Sequence, residues 1–204
     1  MTIAPLPSGA QGVDTILTFT PARAKALKAA KSYSFVVRYL GALTAAEAQN
    51  LHDQGLGISA VTFGGRNGWQ PSAQAGTVAG QTAVAHARVA GCPPGMTLYF
   101  DAEGPGAGGQ ALIDHLNTWA RVVQNAGYVA GLYVGWGLGL TSTQLYQLAF
   151  TAYWKSCSNV PPVAVRGYHM VQQGPPNRYV NGLLVDINTV QADAKGNTPI
   201  VWMP

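Results

Sequence analysis

The chain has 204 residues, of which 48% are apolar and only 10% charged, against about 25% charged in an average soluble protein. That composition excludes a disordered chain. At this length one domain can bury roughly 70% of its unfolded surface without metal or disulfide staples. Twelve Lys and Arg against eight acids give a net charge of +4. The basic residues are dispersed. Their densest group, Arg23, Lys25, Lys28 and Lys31, is spaced helically among alanines and reads as a solvated helix face. Neither a nucleic-acid motif nor a basic stripe with aromatics is present, so no nucleic-acid partner is expected.

Eight short apolar runs rich in Val, Ile, Tyr and Phe predict strands at 12–18, 33–40, 56–63, 97–103, 128–134, 149–154, 167–173 and 183–189. Helical patterns separate the early ones. The first covers 21–30 and opens with Pro21, which suits a first helical turn. The second covers 44–54, with Thr44 and Glu47 spaced as a capping box. An Ala-rich helix at 72–90 ends at Gly91. Another at 108–126 carries Leu112, Leu116, Trp119, Val122 and Val123 and ends at Gly127. A short helix fits 141–148. Residues 155–166 and 174–182 contain Pro161-Pro162 and Pro175-Pro176, so neither segment can hold a proper helix. Alternating strands and helices predict an α/β fold with parallel strands. Eight strands favour closure. The expected architecture is a TIM-like (β/α) barrel with eight strands, about five helices and irregular last three connections, formed as a single domain over 1–204.

The uncharged stretch from Val122 to Trp154 has its most apolar part at Ala126–Leu140, only 15 residues with five glycines. A spanning helix needs about 20 residues, so no membrane insertion is expected. The N-terminus lacks the basic and apolar regions of a Sec signal. Cys92 and Cys157 show no metal-binding spacing, and whether they pair is open. His52, His86, His115 and His169 show no metal spacing either. No metal or cofactor is expected.

In a closed β/α barrel the functional residues sit at the C-terminal strand ends. Of the eight acids, Glu47, Asp53 and Asp114 fall on helices and Asp193 in the polar C-terminal segment; these read as caps or solvated surface. Asp14, Asp101, Glu103 and Asp186 fall on strands, where an acid is costly unless paired or used. Asp101 and Glu103 are i and i+2 and share a face. Two adjacent carboxyls oppose each other's ionisation, so one keeps a raised pKa and serves as a proton donor near neutral pH. That is the chemistry of glycoside hydrolysis. Pairing of the two acids with Arg38, or with a metal ion, is the plainer alternative. Asp14 and Asp186 come from the first and last predicted strands, which become neighbours on closure. Gly104-Pro-Gly-Ala-Gly-Gly109 fits a dinucleotide fingerprint in letters, but the acids just upstream would repel a pyrophosphate and no acid lies about 20 residues on to hold a ribose, since none occurs between Asp114 and Asp186. A flexible loop beside a cleft explains the glycines better. Tyr39, Phe63, Trp69, Tyr133, Trp136 and Trp154 are the aromatics near strand ends that sugar faces could stack on.

The motifs GVD at Gly12–Asp14, RYL at Arg38–Leu40, YFDAEG at Tyr99–Gly104, GLYVG at Gly131–Gly135, AYW at Ala152–Trp154 and VDIN at Val185–Asn188 occur in this order. Over about residues 10 to 192 the chain resembles the glycoside-hydrolase-like domain family related to the family 25 lysozymes. The DxE and D-x-N are shared with those lysozymes; the RYL fits their glycoside-hydrolase-like relatives better. The resemblance implies an irregular β/α barrel that hydrolyses the β-1,4 link between N-acetylmuramic acid and N-acetylglucosamine in peptidoglycan. It implies Glu103 as general acid and Asp101 as the group that orients and stabilises the substrate's 2-acetamido group or an oxocarbenium-like charge. Asp14 and Asp186 would line the cleft and tune these two. Gln172 matches the Gln of the family's QY pair, whose aromatic is here Gln173. Arg38, Tyr39, Tyr133 and Trp154 complete the expected substrate-binding set. The alternatives are an inactive carbohydrate-binding barrel and a hydrolase of another polysaccharide. A monomeric enzyme acting on cell walls, released by lysis like an endolysin or exported by a non-Sec route, is the resulting expectation.

Overall fold

The computed structural model describes residues 2–30 and 32–204; Lys31, the last of the clustered basic residues, lies outside them. The chain order is β1 (Thr2–Pro5), β2 (Gln11–Asp14), α1 (Pro21–Ala29), β3 (Tyr33–Tyr39), α2 (Ala45–His52), β4 (Gly57–Phe63), α3 (Ala73–Ala90) and β5 (Thr97–Asp101). It continues with α4 (Gly109–Asn125), β6 (Val129–Val134), α5 (Ser142–Gln147), β7 (Ala152–Lys155), β8 (Met170–Val180), β9 (Leu183–Val190) and β10 (Ile200–Met203). Strands β2 to β9 pair in sequence and close through β9 on β2. The result is an eight-stranded TIM-like barrel with five helices. All eight predicted strands and all five predicted helices are present.

Local chemistry accounts for the helix boundaries. Thr20, Thr44 and Ser72 each accept the N–H three residues on, from Arg23, Glu47 and Ala75, satisfying donors the first turn leaves free. Thr141 and Gln144 form a complete capping box on α5. Helices α3 and α4 approach closely because α3 is glycine-bearing on that side: a Cβ on Gly76 would stand 2.3 Å from the His115 carbonyl oxygen.

The expectation of parallel strands fails at the end of the chain. From β2 to β8 each neighbour is parallel, but β9 runs antiparallel to both β8 and β2. The segment 174–182 is not a crossover. It is the outer half of β8 and a two-residue turn, Asn181-Gly182, with φ of 46° and 81°. Asn-Gly between strands is the strongest short hairpin signal, and it stood in the sequence beside the two prolines. Two further strands, β1 and β10, pair with each other, and β10 joins the lower part of β4 at Trp202 and Ile58.

Alternation along the strands separates two cores. One set, including Phe35, Val37, Val61, Tyr99, Tyr133 and Trp154, packs inside the barrel. The other, including Val13, Val36, Phe100 and Trp119, packs between barrel and helices. Leu6 and Val201, from the segments flanking the barrel, join the inner set. Inward positions on β2, β5 and β9 are therefore Gly12 and Asp14, Asp101, and Asp186 and Asn188.

Candidate active site

At the C-terminal ends of the strands lies an open cavity of about 220 Å³ whose lining includes Asp14, Asp101, Glu103 and Asp186. The four strand acids converge there from three different strand ends. Asp14 and Asp186 stand directly opposite each other in the β2–β9 register. Glu103 follows Asp101 on the same side, just past the end of β5. No lysine or arginine lines the cavity, so nothing cationic offsets the acids.

One amide holds the left half of this arrangement together. Gln172 Nε2 donates to Asp14 Oδ2 at 3.2 Å and to Asp186 Oδ2 at 3.0 Å. Its Oε1 accepts from the Tyr133 hydroxyl at 2.9 Å and from the Cys157 N–H at 3.2 Å. Asn188 Nδ2 donates to the same Asp14 oxygen at 2.7 Å, and Asn188 Oδ1 accepts from Trp154 Nε1 at 2.9 Å. Asn188 and Cys157 were not singled out as functional from sequence, although Asn188 is the last letter of the VDIN motif. Its spacing of two from Asp186 puts both on one strand face, which is the signal that could have found it.

The electrostatics follow from burial without counter-charge. Burial pushes the Asp14 carboxyl up to about 7, against the hydrogen bond from Asn188, with the Asp186 charge adding to the rise. Burial and the neighbouring Glu103 charge push Asp101 up to about 7, while the Tyr39 hydroxyl opposes the rise. Asp101 is the more deeply buried of the two. Asp101 Oδ1 has no hydrogen-bond partner within the described residues. Glu103 is half-buried and accepts the Trp136 N–H at 3.2 Å. Its side chain lies against Gly135, where a Cβ would come within 2.1 Å of Glu103 Cγ. The last glycine of GLYVG is there because the carboxylate passes over it.

Tyr39, Tyr133, Trp154 and Gln172 all line the cavity. Arg38 does not. It is fully buried, with Nε 2.7 Å from Glu47 Oε1 of α2 and Nη1 on the Thr15 carbonyl. Neighbours on a strand face opposite ways, so Tyr39 looking into the barrel obliges Arg38 to look out. The plainer alternative, an ion pair of Arg38 with Asp101 or Glu103, is excluded by the same geometry. Glu47 is not solvated or engaged in a reciprocal cap. Its carboxylate takes the Phe19 N–H as well as Arg38. Asp193 is also buried, paired with Arg166 at 3.0 Å.

The other expected features sort cleanly. The first half of the 104–109 loop is hydrogen-bonded to the segment after β4: Gly68 donates to Gly104, Gly106 donates to Trp69, and Trp69 bridges to Pro105. Trp69 is structural, donating to the Glu103 carbonyl at 2.8 Å and packing on Phe100 and His115. Phe63 and Trp136 remain exposed at strand ends. His169 is a core histidine, 2.6 Å from the Tyr99 hydroxyl and pushed down to about 3 by burial. Cys92 and Cys157 are both free thiols. Among the described residues no group of three or more His, Cys, Asp or Glu is arranged to hold a metal ion, and no helix is long and apolar enough to cross a membrane.

Solved structures share this architecture. An uncharacterised protein from B. stearothermophilus aligns over 90% of this chain and 96% of its own at 20% identity, with a TM-score of 0.74. The Tat-secreted protein Rv2525c of Mycobacterium tuberculosis aligns over the same shares at 19% identity, with a TM-score of 0.69. The catalytic domain of endolysin ply40 from bacteriophage P40 of Listeria monocytogenes covers 90% of this chain and 94% of its own at 15% identity, with a TM-score of 0.62. At such identities the likeness establishes the fold. No curated protein sequence matches the chain. The sequence profile of one family matches residues 25–190, spanning the barrel from α1 to β9, and the chain belongs to that family, the Rv2525c-like glycoside-hydrolase-like domains.

Proposed function

We propose that the chain is a glycoside hydrolase that cuts β-1,4 bonds in the glycan strands of bacterial peptidoglycan. The observation that carries this reading is the convergence of Asp14, Asp101, Glu103 and Asp186 in one open cavity without a cation. Family membership and the fold shared with an endolysin catalytic domain support it. The Mycobacterium relative is a Tat-secreted protein, which agrees with a substrate outside the cytoplasm.

In the proposed reaction Glu103, the more accessible of the pair, protonates the departing 4-oxygen. Asp101 orients the substrate's acetamido group, whose carbonyl oxygen attacks the anomeric carbon. Water then opens that intermediate, giving its proton to Glu103. Asp101 and Glu103 are i and i+2 and share one face, which favours participation by the substrate's own acetamido group over a separate protein nucleophile on the far side of the ring. Asp14, Gln172 and Asp186 hold the floor and the charge balance. Tyr133 and Trp154 shape the walls.

The test is release of reducing ends from purified peptidoglycan. Removing a general acid costs about 10²–10⁴-fold, so Glu103→Gln should fall by at least about 100-fold. Equal rates for variant and parent sink the assignment. A parent that pulls down with walls but releases nothing is a binding barrel, and release only from other polysaccharides names a different hydrolase.

A further inference from the structure

The outer side of the barrel wall holds an ion pair that the proposed reaction does not use. The side chains of Arg38 and Glu47 are 0% and 1% exposed. Replacing such a pair by apolar residues of similar volume is often neutral or stabilising, so stability alone is a weak reason for two buried charges here. Their hydrogen bonds give a better one. Beyond their mutual contact, both reach the backbone of the connection between β2 and α1. Arg38 Nη1 donates to the Thr15 carbonyl. Glu47 Oε1 accepts the Phe19 N–H at 2.8 Å as well as Arg38 Nε at 2.7 Å. The Arg38 guanidinium also stands over the Phe19 ring, 5.9 Å from its centroid. Asn50, again on α2, donates to the Phe19 carbonyl at 3.0 Å.

These contacts fasten the loop at both ends. Thr15 and Phe19 are buried, whereas Ile16 and Thr18 between them are exposed. Buried backbone groups outside helix and sheet need other partners, and Arg38 and Glu47 supply them at Thr15 and Phe19. The Thr15 hydroxyl adds a bond to the Leu184 carbonyl at 2.9 Å. The first anchor lies one residue past Asp14, whose carboxyl lines the acid cavity and accepts from the Gln172 and Asn188 amides. Strand β2 is only four residues long and ends at Asp14. The Asp14 backbone is therefore held by the short β2 ladder on one side and by this anchored loop on the other.

We propose that Arg38 and Glu47 are positioning residues for the acid cavity: from outside the barrel wall they fix the Thr15–Phe19 loop, and through Thr15 they hold the Asp14 carboxyl in its buried place. The effect on turnover rests on the glycan-hydrolase reading; the effect on Asp14 does not. Neither residue lines the cavity. Met and Leu at the two positions would keep the layer between barrel and α2 filled, yet they offer the Thr15 carbonyl and the Phe19 N–H no partner. Those groups then turn to water, the loop loosens, and water reaches Asp14. A displacement of about 1 Å at a catalytic site costs on the order of 100-fold in rate.

The experiment compares the full-length parent with Arg38→Met/Glu47→Leu and with Arg38→Lys. Lysine keeps a charge for Glu47 but cannot serve Glu47 and the Thr15 carbonyl together as a guanidinium fork does. The Asp14 carboxyl is titrated by carbon-13 NMR of aspartate-labelled chain, with Asp14→Asn to assign its signal. Reducing-end release from solubilised peptidoglycan gives kcat and KM. In the parent the carboxyl titrates at about 7. In both variants the midpoint should fall by about one unit as water reaches the carboxyl. The kcat should fall by about 10- to 100-fold, with KM changed by less than about three-fold, because the loss falls on the transition state and not on ground-state binding. Thermal melts establish that each variant is folded; should the double variant not fold, Arg38→Lys decides alone. An unmoved Asp14 midpoint or an unchanged kcat in a folded variant overturns the positioning role and leaves the hydrolase reading standing. A parent that releases no reducing ends overturns the hydrolase reading, and the Asp14 midpoint then decides whether the pair positions that carboxyl.

Discussion

Asp14 offers the most direct check on the charge arrangement. Burial holds its carboxyl at about 7 instead of 3.8, so the folded state keeps a proton that the unfolded chain has already released. Stability therefore falls as pH rises from about 4 to about 7 and stays low above that. At about 1.4 kcal/mol per pH unit the buried charge costs the fold on the order of 4 kcal/mol above pH 7. Asp14→Asn removes that charge and keeps an oxygen to accept from Asn188 and Gln172. A new amide in the cavity gives back about 1 kcal/mol through imperfect hydrogen bonding, leaving a net gain of roughly 2–3 kcal/mol at pH 8 and almost none at pH 5. Urea denaturation of parent and variant at the two pH values measures the difference. At about 2–4 °C per kcal/mol for a chain of this size, thermal melts should separate as well. A variant no more stable than the parent at pH 8, or equally stabilised at both pH values, refutes the account of Asp14 as an uncompensated buried acid.

The other sites give sharper qualitative outcomes. Gly135→Ala puts a Cβ within 2.1 Å of Glu103 Cγ; reducing-end release should drop by about 100-fold with little change in melting temperature, and normal activity would show that the Glu103 position is not critical. Glu47→Ala leaves the Arg38 guanidinium buried without its partner and should cost about 3–5 kcal/mol, whereas Arg38→Met with Glu47→Leu should recover most of it in the same melts. Tyr39→Phe removes the hydroxyl that opposes the rise of the Asp101 carboxyl. The limb of the pH–rate profile that reports Asp101 should move to higher pH by about one unit, and a shift to lower pH would reverse the assigned role.

Much of the barrel could be read from the chain because its signals are local. Apolar runs of strand length, caps at Thr20, Thr44 and Ser72, and stops at Gly91 and Gly127 each depend on a few adjacent residues. What escaped is of a different kind. Strands β1 and β10 are four residues each and pair only with one another and with β4, so neither carries a periodic pattern long enough to stand out. Direction also escaped. The prolines at 175 and 176 correctly excluded a helix, but they obscured Asn181-Gly182, the two-residue turn that sends β9 back antiparallel.

The reversal of β9 bears on the chemistry. In a fully parallel barrel only the last residues of each strand face the catalytic end. Because β9 runs the other way, its N-terminal part lies there, and Asp186 and Asn188 reach Asp14 from the middle of the strand. Arg38 shows the opposite lesson. Its place in a recognisable motif suggested a role in the cleft, yet strand alternation alone sends it outward once Tyr39 is inward, and Glu47 waits there on α2. That pairing keeps the Arg38 charge away from the acids. The scarcity of charge in this chain is therefore part of the site: with Arg38 bound to the helix layer, Asp14 and Asp101 are left to share a cavity with no positive group, and near neutral pH each can hold or release a proton.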